Sequence, residues 1–205
     1  NWHRLRTVYE YNTLHQLTET ESPDGGKAYL CYDSQGRLRF SVDAHNTDID
    51  ANGNLVINQF TYVIYDNLGR AVESGLAKNT NSVGFILQTL QSDTYTDDWA
   101  FPRNSSHFTT EQISWTYYDD ITGVPTNLQT ELNTIFPNGQ EQTRGRVVMT
   151  STSYTGDEQN PDAISAYTYD ILGNVPELYR YDRLTERWHH FEYDFDMITS
   201  NVNEM

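Results

Sequence analysis

The chain has 205 residues, a formal net charge of −16 and an apolar content of only 37%. That charge opposes binding to nucleic-acid phosphates, which needs clustered Lys and Arg, and no apolar run approaches the length of a membrane span. Few aliphatic residues beside 15 tyrosines suit a sheet curled around a wet space, which buries less apolar surface than a two-layer globule.

In chain order, the dipeptide Tyr-Asp recurs, each time followed by a short turn sequence and an alternating run. A degenerate copy, Tyr11-Asn12-Thr13-Leu14-His15-Gln16, has His15 where the others carry glycine; histidine tolerates positive φ better than most residues. Tyr32-Asp33-Ser34-Gln35-Gly36-Arg37 follows. After it, Leu38, Phe40 and Val42 fall on one face of a strand and Arg37, Arg39 and Ser41 on the other. Asn52-Gly53, between Asp50 and the run Leu55-Val56-Ile57, signals a type I′ hairpin. Phe60, Tyr62 and Ile64 alternate with Thr61, Val63 and Tyr65 before the copy Tyr65-Asp66-Asn67-Leu68-Gly69-Arg70.

Ser82 to Leu90 is equally compatible with helix and strand. Residues 91–110 are rich in Asp, Ser, Thr and Asn and predict an irregular excursion anchored by Trp99, Phe101 and Pro102. In Tyr118-Asp119-Asp120-Ile121-Thr122-Gly123 one extra residue precedes the glycine. Pro137-Asn138-Gly139 is a further turn signal, and Arg144-Gly145-Arg146 opens the alternating run Val147, Met149, Ser151, Ser153. Tyr169-Asp170-Ile171-Leu172-Gly173-Asn174 and the degenerate Tyr193-Asp194-Phe195-Asp196 close the series. The long intervals between copies are expected to hold extra hairpins or loops.

Each copy reads as a β-hairpin. Asp or Asn at the first turn position bonds its side chain to a backbone N–H two residues on. The glycine suits the positive-φ residue that closes a type I turn with a bulge. Tyrosine packs its ring across strands while its hydroxyl stays wet. Repetition of this kind points to work done by a whole surface and not by one cleft.

At these residues the chain resembles the RHS/YD-repeat family over nearly all of its length. Tyr9-Glu10-Tyr11-Asn12 through Gly36-Arg37-Leu38 is similar to two successive repeats. Asn54-Leu55-Val56 to Arg70, Trp115 to Asp119, Tyr167 to Val175 and Tyr193 to Asn203 are similar to a variant of Bacteroides and Flavobacterium relatives. The resemblance implies an all-β fold: antiparallel hairpins in one continuous curved or spiralling sheet, a fragment of a hollow shell. It also implies a structural role in a large secreted or surface polypeptide, where such shells often enclose a C-terminal toxin released by self-cleavage. No match to the self-cleaving core domain or to a toxin domain is found. Residues 1–205 are expected to form one strip belonging to a longer chain, since Asn1 is no initiator methionine, no signal peptide is present, and Asn201 to Met205 stop inside a repeat. Its partners would be the rest of that polypeptide, an enclosed toxin or secretion machinery. The alternative is an adhesin or carbohydrate-binding module.

Candidate chemistry is sparse, and neither a catalytic residue nor a cofactor is assigned. The stretch Asp48-Ile49-Asp50-Ala51-Asn52-Gly53 opens like a calcium loop, with Asp48, Asp50 and Asn52 as ligand candidates. Gln59 stands where a bidentate Glu belongs, so an Asx-rich hairpin is the plainer reading. Asp97-Asp98, Asp119-Asp120 and Asp157-Glu158 are adjacent carboxylates, and neighbours in a strand point to opposite faces instead of across a cleft. His189-His190 faces the same objection as a metal pair, and Ser105-Ser106-His107 lacks a nucleophile elbow. Cys31 is the one cysteine and reads as a small packed residue. Trp2, Trp99, Trp115 and Trp188 suit either a sheet interior or a sugar-stacking platform.

Overall fold

A computed structural model describes residues 6–80, 84–196 and 202–204. Trp2, Ser82, the chain ends and the stretch from Met197 to Asn201 lie outside the described residues. The chain divides into two compact units, residues 1–111 and 112–205.

The first unit opens with β1 (Val8–Tyr11), β2 (Leu17–Ser22), β3 (Gly26–Tyr32) and β4 (Leu38–Val42). A 3-10 turn at Ala44–Asn46 leads into β5 (Thr47–Ile49) and β6 (Leu55–Ile57), followed by β7 (Gln59–Tyr65) and β8 (Ala71–Asn79). Next come β9 (Phe85–Ile86) and the single turns α1 (Leu87–Leu90) and α2 (Asp93–Thr96), before β10 (Phe108–Tyr118) runs into the second unit. That unit continues with α3 (Thr126–Ile135), β11 (Val147–Ser153), β12 (Ala163–Tyr167), β13 (Glu177–Asp182), β14 (Arg187–Glu192), β15 (Asp194–Phe195) and β16 (Val202–Glu204).

The repeat-bearing strands form a mostly antiparallel sheet that does not close, in the order β1-β2-β3-β4-β7-β8-β10-β11-β12-β13-β14. A three-stranded sheet, β5-β6-β9, and the pair β15-β16 complete the β structure. All-β is therefore right as a class, with short helices set into the connections.

Alternation holds in β7, where Phe60, Tyr62 and Ile64 are buried while Thr61 is exposed. It breaks in β4. Tyr32 pairs with Leu38 and Cys31 with Phe40, which leaves Arg39 as the unpaired residue of a bulge and turns its side chain off the alternating face. Arg39 is only 3% exposed. The same bulge recurs two residues after three other turns, at Thr18, Val72 and Val148.

Each unit has its own core. In the first, Phe40, Phe60, Tyr62 and Ala77 of the sheet pack with Ile57, Phe85, Leu90, Phe101 and Phe108. The excursion thus covers sheet surface, and Phe101 and Pro102 are fully buried in it. Trp99 is no anchor, because its indole is 71% exposed. Ser82 to Leu90 resolves into neither alternative alone: Phe85–Ile86 pairs with β6, and Leu87–Leu90 is a helical turn.

In the second unit the interval after Tyr118 holds α3 instead of a hairpin. Pro125 precedes its first residue, where a missing N–H costs nothing. Leu128 and Leu132, four apart, lie buried with Phe136 against Val148, Met149, Ile164 and Ala166. Gln140 Nε2 then donates to the carbonyls of Val148 and Tyr167, at 2.7 and 2.6 Å, pinning the segment after the helix to the sheet.

Candidate functional site

The recurrent feature is a turn that locks onto its neighbour. In the copy at Asp66, the Oδ1 atom accepts from the amides of Leu68 and Arg70, both at 2.9 Å, while Oδ2 accepts from Arg70 Nε at 2.7 Å. The Asp66 amide donates to the Arg70 carbonyl, and the Gly69 amide donates back to the Asp66 carbonyl. Asp33 with Gly36 and Arg37 repeats this pattern, as does Asp170 with Gly173 and Asn174. Gly36, Gly69 and Gly173 all have positive φ, at 80°, 80° and 95°. His15 holds the same place at φ 61°, and Asn12 Oδ1 accepts from the amides of Leu14 and Gln16.

Burial opposes ionisation of Asp66, but the bonds from Arg70 and Leu68 outweigh it and hold the carboxyl below its usual 3.8. Asp170 is lowered in the same balance, chiefly by Asn174. A depressed carboxyl stabilises the fold above its unfolded value and loses that contribution as pH falls through the folded one. Asp66→Asn should therefore be destabilised by under about 1 kcal/mol near pH 6, the scale of a partly exposed pair. The gap to the parent should close by about pH 2. Chemical denaturation of both proteins across that range tests this; a gap that persists in acid would assign the effect to something other than charge.

The tyrosine ahead of each turn reaches back one repeat. Tyr32 Oη donates to the Leu17 carbonyl, Tyr65 Oη to that of Leu38 and Tyr169 Oη to that of Val147, at 2.8–2.9 Å. In each case the acceptor is the first strand residue after a preceding turn. The registers of β4 on β7 and β11 on β12, continued to the strand ends, set Tyr65 opposite Arg37 and Tyr169 opposite Arg146. Both guanidiniums lie over the facing ring, 4.7 and 5.1 Å from its centroid. Burial then raises the pKa of both tyrosines. Each hydroxyl bond contributes about 1 kcal/mol and each cation–π contact about 0.5–1 kcal/mol, so adjacent repeats are coupled by more than their sheet ladder.

The copy at Tyr118-Asp119 departs from the expected form. Gly123 is not among the residues with positive φ; Asp119 itself is, at 70°. The closing pair comes from far along the chain: the Asp119 amide donates to the Arg146 carbonyl, and the Gly145 amide donates to Asp119 Oδ1 at 2.5 Å. Gly145 has φ 75°. This is one repeat turn split by an insertion that carries α3. Asn52-Gly53 also differs from a type I′ turn, for only Gly53 has positive φ, at 85°. Asp50 makes the full set of repeat bonds to Asn52 and Asn54, with Ile49 in the tyrosine position. Spacing of Asp, Gly and a following Arg or Asn would have revealed this turn in the sequence.

The remaining candidates fall apart in space or into local turns. Asp50 spends its oxygens on its own loop, and Asp48 Oδ2 accepts from Asn58 Nδ2 at 2.7 Å. Asp98 bonds the Ala100 amide and Asn104, Asp120 the Thr122 amide, and Asp157 the Gln159 and Asn160 amides. Glu158 accepts from Tyr117 Oη at 2.7 Å. His190 stacks on Tyr179 at 4.1 Å beside Glu177, and His189 is exposed. His107 edges onto Phe85 at 5.8 Å, away from any acid partner described. Cys31 is buried, and burial pushes its thiol up to about 12. Trp115 is buried, and Trp188 Nε1 donates to Glu131 at 3.3 Å. No group of three or more His, Cys, Asp or Glu side chains suited to a metal occurs among the described residues, and no described helix is long and apolar enough to cross a membrane.

The turn glycines give a direct test. A Cβ added at Gly69 would meet nothing nearer than Arg37 Nη1 at 3.9 Å, so only backbone strain opposes a substitution there. Gly69→Val should cost on the order of 1 kcal/mol or more, while Gly123→Ala should be close to neutral. Equal losses at the two sites, measured by urea unfolding, would sink the turn assignment. Gly173→Val adds a 2.9 Å approach to Arg146 Nη2 and should cost at least as much.

No family model matches the chain, and no curated protein sequence matches it. Among solved structures it is similar to a crystal structure of TcdB2-TccC3-Cdc42, at 14% identity and a TM-score of 0.27. It is also similar to TcdB2-TccC3 without its hypervariable C-terminal region, at 13% identity and a TM-score of 0.27. A third is the Photorhabdus luminescens Tc holotoxin pore, at 11% identity and a TM-score of 0.18. Each match covers 96% of this chain but only 11–12% of the other.

Proposed function

We propose that this chain is a structural segment of an RHS/YD-repeat protein, supplying hairpins to a sheet that encloses or displays another part of a longer, secreted or surface polypeptide. The observation that supports it is the reach of Tyr32, Tyr65 and Tyr169, and of Arg37 and Arg146, onto an adjoining repeat. Such coupling lets a strip grow by adding like units, with stability set by neighbour contacts. The segment has no catalysis of its own in this reading, and any toxin belongs elsewhere in the parent chain.

The strand order ends at β1 and β14, whose outer edges would pair with further repeats of the parent. Hydrogen exchange tests this. Outward-facing amides of Val8–Tyr11 and Arg187–Glu192 should exchange rapidly in the isolated chain and be protected in the parent polypeptide. Equal, fast exchange in both would overturn the proposal.

A further inference from the structure

We infer that the outer edge of β14 selects its partner strand by charge, accepting carboxylates on one face of the sheet and rejecting them on the other. On the reading of the chain as part of a longer strip, this is the chemistry of the strand that lies next to β14.

Packing fixes the two faces of this edge. Strands β13 and β14 pair from Glu177 with Glu192 to Asp182 with Arg187 without a skipped position. Tyr179, Tyr181 and Trp188 pack against the core of the second unit, with His190 stacked on Tyr179 and Trp188 beside Tyr181. Alternation therefore sets Trp188, His190 and Glu192 on the core side, and Arg187, His189 and Phe191 on the opposite side.

Carboxylates already gather on the core side. His190 Nε2 lies 3.3 Å from Glu177 Oε2 and 3.7 Å from Glu192 Oε1, and Trp188 Nε1 donates to Glu131 at 3.3 Å. A further carboxylate there would join Glu131, Glu177 and Glu192, and like charges across a strand pair repel. The opposite side has the reverse balance. Arg180 stands across from His189, and Arg187 across from Asp182, whose Oδ1 already accepts from the Leu184 amide at 2.8 Å. Among the described residues Arg180, Arg187 and His189 enter no ion pair. Two guanidiniums are thus left without a carboxylate on a chain of net charge −16, which is charge complementarity for an acidic strand face.

The direction of that strand follows from β15 and β16, where Asp194 pairs with Glu204 and Phe195 with Val202. A strand continuing from β16 runs antiparallel along β14 and meets Glu192 before Arg187. Carboxylates opposite His189 and Arg187 then find cations, while a slip of one residue moves them to the acidic side.

The test appends a six-residue strand to Met205 of the whole chain. One tail, Thr-Val-Thr-Glu-Thr-Glu, sets its carboxylates opposite His189 and Arg187. The other, Thr-Val-Glu-Thr-Glu-Thr, has the same composition and sets them on the core side. The first tail is expected to slow hydrogen exchange of the β14 amides about tenfold more than the second, with the difference shrinking at high salt. Arg187→Glu should abolish the preference, and a tail carrying lysines in place of the glutamates should restore protection in that variant. Equal protection by the two glutamate tails would overturn the charge selection and leave the strip reading intact, since exchange in the parent polypeptide decides that reading separately. Greater protection by the second tail, or protection by neither, would also overturn it.

Discussion

Phe101→Ala should lower the unfolding free energy of the first unit by about 3–5 kcal/mol, the range for deleting a buried phenylalanine ring. Phe101 is 2% exposed and its ring lies 4.9–6.3 Å from those of Phe40, Phe60, Phe85, Tyr95 and Phe108. It is therefore the point at which sheet, β9, α2 and β10 meet. Removing it leaves a cavity that five rings held in place by separate elements can fill only partly. Phe101→Leu should recover more than half of the loss by keeping apolar volume. Urea unfolding of the two variants decides the matter. A loss below about 1 kcal/mol for alanine would mean that the excursion is not part of the core.

Arg39→Met should cost about 3 kcal/mol, the scale for withdrawing a buried charged donor from several acceptors. Arg39 Nε donates to the Thr96 carbonyl at 2.9 Å, and Nη2 donates to those of Asp98 and Phe101 at 2.8 and 3.2 Å. Nη1 donates to the carbonyl of Val63. Burial lowers the pKa of the guanidinium, and the excursion carbonyls of Thr96, Asp98 and Phe101 offset that cost. Methionine keeps the volume but provides no donor, so these acceptors lose their partner. Arg39→Lys should fall between, since one ammonium cannot span four carbonyls. Hydrogen exchange should locate the loss at residues 96–101. A neutral Arg39→Met variant would show that apolar packing alone holds the excursion.

Local chemistry was legible wherever it acts within a few residues. The Asp–Gly spacing of the turns at Asp33, Asp66 and Asp170 gave the hairpins, because an Asx side chain and a positive-φ glycine need no distant partner. Alternation gave the buried face of β7. His15 was readable as a glycine substitute, and the calcium-like stretch was readable as an Asx turn. What lay beyond this range was hidden. Gly123 looked like the closing residue of its turn because it is near Asp119 in sequence; the residue that pairs with Asp119 is 26 positions further on, at Gly145. The bulge at Arg39 reverses the face that alternation assigns, and only the pairing of Cys31 and Tyr32 with β4 fixes it.

The sequence by itself determined the turns at Asp33, Asp66 and Asp170, the strand-rich class and the repeated use of tyrosine, since each follows from backbone preference and a period of two. Only the tertiary structure decided that Tyr32, Tyr65 and Tyr169 bond the repeat before them, that excursion residues fill one core and α3 another, and that Phe101 is buried while Trp99, two residues earlier, faces water. These depend on register and on which segment returns to cover the sheet. Both are set by packing between residues far apart in the chain, and a local pattern carries no record of them.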